Sequence, residues 1–259
     1  MIDYPRRVHI APVGYDIDRV VLPLKLMAAD RVWLIKERNE KEDKGLYYFH
    51  KIEEFLHHDL PQCEVKIETC DLINRDLFDI LQAYRKIIEK ESKNNVYINV
   101  STGTKIHSIA GMLVSMIFKE EIREILSYYV VPENYDDKTE DGHPVVTGCK
   151  GIFPIPSYKI EKPRDDLIVV LKTILNLTHD GSKLTKNVLI EELDKMHYLD
   201  LQAKKDRSDQ DTKSAKYRAL DRKYIQPLLG WNFIDIVGSG KRKEIQLTQE
   251  GKNIIKFLG

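Results

Sequence analysis

Short β-rich runs alternate with segments of helical period over the first 150 or so residues, and that alternation predicts the architecture. Val8 to Val13, Arg31 to Ile35, Glu64 to Thr69, Val96 to Val100 and Ile125 to Val131 read as strands. Between them Asp18 to Ala29, Leu46 to Asp59, Leu77 to Lys90 and Ile106 to Phe118 read as helices. The order predicts an α/β fold with a doubly wound, mostly parallel Rossmann-like sheet, its right-handed crossovers placing helices on both faces. A ligand crevice is expected at the carboxyl ends of the strands. The segment Tyr135 to Gly151 reads as a loop or hairpin carrying on from the sheet, and no role is assigned to it.

Beyond Pro154-Ile-Pro-Ser-Tyr-Lys-Ile-Glu-Lys-Pro163 the period changes. Three prolines there forbid a continuous helix, so the stretch reads as a linker (154–163) between a first domain (1–153) and a second (164–259). In the second, Asp165 to Leu177 carries Leu167, Val170, Leu171, Ile174 and Leu175 at helical spacing, and Lys186 to Met196 carries Val188, Leu189, Ile190 and Leu193. A third helix, Lys213 to Leu229, places Ala215, Ala219, Leu220, Tyr224 and Leu228 on one face. Phe233 to Val237 and Glu244 to Thr248 then flank a glycine-rich tip, Gly238-Ser-Gly-Lys-Arg-Lys243, as a hairpin, and Gly251 to Leu258 closes the fold as a last helix.

Composition sharpens this picture in three ways. The chain has 259 residues and no net formal charge, yet 23 basic residues face 27 acidic ones up to Lys162, and 18 face 14 from Pro163 onward. The basic end therefore calls for its own reading. Met1 to Val8 is short of apolar residues and no long apolar run follows, so neither a signal peptide nor a membrane span is expected, and the location expected is cytoplasmic. Cys63, Cys70 and Cys149 are an odd number at no metal-ligand spacing, which predicts reduced thiols and no zinc. His50, His57 and His58 near Cys63 match no zinc pattern either, and Glu53-Glu54 and Asp136-Asp137 read as solvated acids.

The chemistry concentrates in Asn95-Val-Tyr-Ile-Asn-Val-Ser-Thr-Gly-Thr-Lys105, a strand running through a small polar turn into a helix. Free backbone N–H groups and the helix dipole favour anions at such a helix start. Gly103 removes a Cβ that would hold a ligand off the backbone, Ser101, Thr102 and Thr104 supply hydroxyl donors, and Lys105 adds a positive charge. The turn is neither a Walker A loop nor a Gly-x-Gly-x-x-Gly dinucleotide turn, and no residue in it is an obvious catalyst. Two further turns are expected at the same crevice. In Pro12-Val-Gly-Tyr-Asp16, Gly14 can take positive φ, Tyr15 offers a stacking ring and Asp16 a carboxylate; in Lys36-Glu-Arg38, Lys36 and Arg38 are cations.

The opposite side of the third helix shows Lys213, Lys216, Tyr217, Arg218, Arg222 and Lys223, and the hairpin tip carries Lys241, Arg242 and Lys243. Three helices followed by a basic hairpin is the winged helix-turn-helix arrangement, in which the third helix enters the major groove of double-stranded DNA and the wing lies along the backbone. Cationic side chains there neutralise phosphates and make binding salt-dependent.

Over nearly its whole length the chain resembles the CRISPR-associated Rossmann-fold (CARF) transcription regulators with a C-terminal winged helix. Gly14-Tyr15-Asp16 and Asn99-Val-Ser-Thr-Gly-Thr-Lys105 are similar to the two ligand motifs of that family. The second motif usually reads Asn-x-Thr-Gly-Gly-Thr-Lys, so Ser101-Thr102 stands where Thr-Gly is usual. The resemblance implies a homodimer whose paired Rossmann domains share a two-fold cleft for a cyclic oligoadenylate, most often the tetramer. It needs no cofactor and no membrane. Two other functions stay open at this point: a ring nuclease cleaving that ligand, with Ser101 or Lys105 at the phosphate, and a nucleotide or metabolite sensor outside CRISPR defence.

Overall fold

The computed structural model describes residues 4–71, 76–136, 145–199, 209–239 and 243–259, and the chain divides into two compact units, Met1–Glu161 and Lys162–Gly259. In the first unit, β1 (Arg7–Pro12) and β2 (Arg31–Glu37) bury nearly every residue, the mark of strands covered on both faces. With β3 (Glu64–Cys70), β4 (Asn95–Asn99), β5 (Glu124–Val131) and β8 (Gly151–Ile155) they form one sheet in the order β3-β2-β1-β4-β5-β8. The first five run parallel, as the sequence predicts, and β8 pairs antiparallel with β5, a strand the sequence did not reveal. Short β6 (Asn134–Asp136) and β7 (Val145–Thr147) pair antiparallel beyond β5, the second of the two forms, loop or hairpin, expected there.

Four helices connect the parallel strands: α1 (Asp18–Leu26), α2 (Leu46–Asp59), α3 (Leu77–Lys90) and α4 (Lys105–Ile117). The Asp76 side chain caps α3 by accepting from the Phe78 N–H at 2.8 Å, and the buried Tyr84 of α3 donates to the His107 carbonyl of α4 at 3.3 Å. At the amino ends of the strands, buried Glu91 accepts from Trp33 Nε1 (2.7 Å) and Arg31 Nη1 (2.6 Å), and Arg31 also holds Glu64. That network ties down one end of the sheet. The carboxyl ends are left to loops, and β1 and β4, whose connections wind in opposite directions, lie side by side there.

In the second unit, α5 (Asp165–Thr178) and α6 (Lys186–Lys195) precede α7 (Asp209–Leu220). A π turn over Asp221–Ile225 leads from α7 into α8 (Gln226–Gly230), so the third helix starts before Lys213 and is not regular throughout. The antiparallel hairpin β9 (Ile234–Val237) and β10 (Glu244–Leu247) and the closing α9 (Gln249–Leu258) follow. Thr248 caps α9 by accepting from Gly251 N at 3.0 Å. A shared core of Leu167, Leu171, Ile174, Leu189, Leu220, Leu228 and Ile245 joins all these elements, and Ile245 N–H donates to the Leu184 carbonyl at 2.8 Å, tying the wing to the loop before α6.

Candidate ligand site and basic helix

The turns after β1 and β4 meet. Thr102 is buried and its hydroxyl donates to the Pro12 carbonyl at 2.8 Å. Asn99, fully buried, donates to the Arg19 carbonyl (2.8 Å) and accepts from the Ser101 N–H (2.9 Å), while Ser101 Oγ accepts from Val130 N at 2.6 Å. These three motif residues build the turn. The Asn99 side chain and the Thr102 hydroxyl are thereby bonded inside the protein.

Both glycines serve this close approach. A Cβ on Gly14 would lie 2.8 Å from Gly103 N, so Gly14 is small because the neighbouring turn occupies the space; it is not among the glycines of positive φ, contrary to expectation. Gly103 does have φ of +74°, and a Cβ there would meet Pro12 Cβ at 2.8 Å and His107 Nδ1 at 2.9 Å. Protein atoms, not ligand, fill the space that its missing side chain leaves.

His107, which the sequence reading passed over, holds the start of α4. Its Nδ1 accepts from the Thr104 N–H at 3.0 Å, and the His107 N–H donates back to the Thr104 carbonyl at 2.9 Å. Burial pushes the imidazole down to about 4, so it stays neutral with Nδ1 free to accept. Thr-x-x-His at a helix start is a variant of the capping-box spacing and was the available signal. Thr104 and Lys105 remain exposed at the helix N-terminus, beside Gly103.

A cavity of about 310 Å³ opens next to them, lined by Val13, Gly14, Tyr15, Glu37, Glu42, Asp43, Lys44, Gly45, Gly103 and Thr104. Tyr15 packs edge-on to Tyr48, ring centroids 5.3 Å apart. Asp16 lies outside the lining and faces Arg19 at 3.4 Å; burial raises its carboxyl above the usual range and Arg19 opposes that shift. Burial likewise raises the Asp43 carboxyl, whose Oδ1 accepts from Gly45 N at 2.7 Å.

The cations expected after β2 are not at the cavity. Lys36 is buried, bound to Glu40 at 2.6 Å and stacked 4.6 Å over the Phe49 ring, and Arg38 reaches Asp79 at 3.4 Å. Successive strand residues point to opposite faces, so the residue between them, Glu37, supplies that wall of the cavity instead. The cavity is therefore acidic on its β2 side and bounded by the α4 N-terminus on the other.

In the second unit the basic positions divide. Ser214, Arg218, Arg222 and Gln226 form an exposed row at four-residue spacing, with exposed Lys213 and Lys223 beside it. Lys216 is drawn to Asp194 of α6 at 2.6 Å, and Tyr217 packs against the core with its hydroxyl on Asn187. Three consecutive helical residues sweep roughly 200°, so Lys216, Tyr217 and Arg218 cannot share a face, and of the three Arg218 is the exposed one. Lys243 is exposed; Lys241 and Arg242 lie outside the described residues.

Among the described residues, no cluster of histidine, cysteine and acidic side chains is placed to hold a metal ion, and no helix is long and apolar enough to cross a membrane.

Residues 7–135 match a family model described as HFX_2341_N-like, N-terminal, and residues 166–259 match one described as DUF6293 C-terminal winged helix domain. Uncharacterized protein MJ1513 of Methanocaldococcus jannaschii is 30% identical over 192 residues, 64% of this chain and 55% of that protein, so the chain spans about half the length of this curated relative. Among solved structures, Enterococcus italicus Csm6 bound to cyclic hexa-2'-fluoro-hexa-dAMP gives a TM-score of 0.42 at 13% identity, covering 88% of this chain and 59% of that one. Can2 from Sulfobacillus thermosulfidooxidans in complex with cyclic tetra-adenylate gives 0.40 at 13% identity, covering 97% and 63%.

Proposed function

We propose that the chain, whose residues 7–135 match an HFX_2341_N-like N-terminal model and whose residues 166–259 match a DUF6293 C-terminal winged helix model, is a ligand-responsive DNA-binding regulator with a sheet unit of CARF type. The sheet unit senses a cyclic oligoadenylate, the tetramer by preference, and the winged helix binds double-stranded DNA. The protein works as a homodimer, in which two copies of the site face one two-fold ligand. Binding, not reaction, is the function: ligand and DNA are coupled through their differential affinity for two arrangements of the dimer.

The observation that carries this reading is the junction of the β1 and β4 turns at the switch point of the sheet. There Thr104, Lys105 and the amide end of α4 offer an anion site in the same chain as an exposed basic row on a winged helix. Gly103, Thr104, Lys105, Tyr15 and Gly14 are the ligand contacts on this reading, and Lys213, Arg218, Arg222 and Lys243 the DNA contacts. Mass spectrometry of nucleotides that co-purify with the protein, followed by calorimetry with cyclic tetraadenylate, tests the sensor half. Gel shifts on the promoter region of its own gene, with and without that ligand, test the regulator half. Absence of any DNA binding in both conditions leaves the second unit as a protein-interaction module and ends the regulator reading.

A further inference from the structure

Resting on that ligand reading and deepening it, we infer that Thr102 is a positioning residue for the ligand: its hydroxyl latches the β1 turn to the β4 turn, so that both halves of the ligand site stand together before any ligand arrives. The contacts proposed above come from two separate turns. Gly14 and Tyr15 follow β1, whereas Gly103, Thr104 and Lys105 follow β4. One ligand can touch both sets only if the turns keep a fixed relation, and any ordering left to the moment of binding is subtracted from affinity.

The β4 turn is anchored on its own account. The Ser101 N–H donates to Asn99 at 2.9 Å, Ser101 Oγ accepts from Val130 N at 2.6 Å, and the Thr104 N–H donates to His107 Nδ1 at 3.0 Å. The β1 turn has less to hold it. Gly14 lets it approach Gly103 closely, a Cβ there falling 2.8 Å from Gly103 N, but glycine is the residue with the most backbone freedom and gives access without restraint. Thr102 supplies the restraint. Its Oγ1 donates at 2.8 Å to the carbonyl of Pro12, two residues before Gly14, and the bond is buried where water does not compete for it. A β-branched side chain is stiff at χ1, so that hydroxyl keeps one direction.

Thr102→Val keeps the branched shape and removes the donor, and Thr102→Ser keeps the donor. In calorimetry at a temperature where every variant is fully folded, Thr102→Val should bind cyclic tetraadenylate about two- to tenfold more weakly than the wild type, the range of one neutral hydrogen bond, and Thr102→Ser should return most of that affinity. A bond that served the fold alone would lower the melting temperature and leave the affinity of the folded protein as it was. Parental affinity in Thr102→Val, or the same loss in both variants, overturns the inference and leaves the sensor reading standing. Should Thr102→Val fail to fold, NMR order parameters of the Gly14 and Gly103 amides in the ligand-free wild type decide. They should equal those of the flanking strands, roughly 0.85, and values below about 0.6 that rise only with ligand overturn the inference, because the ligand would then be assembling the site. If the wild type binds no cyclic tetraadenylate, the sensor reading falls and this inference with it.

Discussion

Replacing Gly103 with alanine tests whether the turn is built as described. The new Cβ would stand 2.8 Å from Pro12 Cβ and 2.9 Å from His107 Nδ1, where carbon contacts relax to roughly 3.5–4.0 Å, and both neighbours are committed. Pro12 is buried and its carbonyl accepts from Thr102, while His107 Nδ1 holds the Thr104 N–H. Moving either breaks a bond that fixes the start of α4. At φ of +74° a residue with a Cβ costs about 1–2 kcal/mol, and overpacking adds about 1–3 kcal/mol. Alanine also lowers the entropy of the unfolded chain, returning about 0.4–1 kcal/mol, so the net destabilisation is roughly 1–5 kcal/mol. For a unit of this size that lowers the melting temperature of the ligand-free protein by ~2–20 °C, read by calorimetry or circular dichroism. The reasoning is refuted if Gly103→Ala melts with its parent yet loses ligand affinity, because the missing side chain would then be making room for ligand and not for Pro12 and His107.

Four further outcomes are expected. Lys105→Ala should weaken cyclic tetraadenylate binding by about 1.5–3 kcal/mol in calorimetry, the range of a charge-assisted hydrogen bond, with little change in melting temperature, since the side chain is exposed. Arg218→Ala with Arg222→Ala should lower the slope of log affinity for DNA against log salt by roughly 0.9 for each phosphate no longer neutralised, whereas Lys216→Ala, which releases Asp194, should cost ~1 kcal/mol of stability or less and leave that slope alone. Burial depresses His9 to about 3 and His107 to about 4, both below the unfolded value of ~6.5, so the unfolded chain binds more protons as pH falls and stability is lost from about pH 6.5 downward; urea midpoints at pH 7 and 5 should differ by roughly 2 kcal/mol per histidine, and His107→Gln should remove about half of that difference. Cyclic tetraadenylate incubated with the protein should stay intact, and linear fragments that Ser101→Ala abolishes would instead make the chain a ring nuclease.

Much of the fold is legible because its elements are long and strongly patterned. The expected ranges of α2 and α3 match the structure residue for residue, and the five parallel strands differ only at their ends. Where expectation failed, a non-local contact decided. The β8 strand contains Gly151 and Pro154 and has no alternation to betray it; it exists because β5 offers it an antiparallel edge. Its last two residues, Pro154 and Ile155, come from the proline-bearing stretch read as linker. The helix α1 stops at Leu26, short of the expected Ala29, because Ala28 turns the chain with φ of 50° so that its successor can return an N–H to the Leu24 carbonyl at 2.8 Å.

The site was legible in part for a physical reason that separates its residues into two kinds. Sequence spacing identifies a polar turn between a strand and a helix, but it does not say which hydroxyls the turn consumes in its own construction. Asn99, Ser101 and Thr102 bond to backbone from α1, β5 and β1, three partners that only the folded sheet brings within reach. Thr102 illustrates the difference best: where the usual motif has glycine, this chain uses the side chain to latch the two turns together. Thr104 and Lys105 stay exposed beside it, so that substitution alters the frame of the turn and not its exposed groups. The same logic explains the β2 edge, where a strand's alternation set the sign of the cavity wall: Lys36 turns inward to Glu40 and Phe49, and Glu37 faces the space in its place.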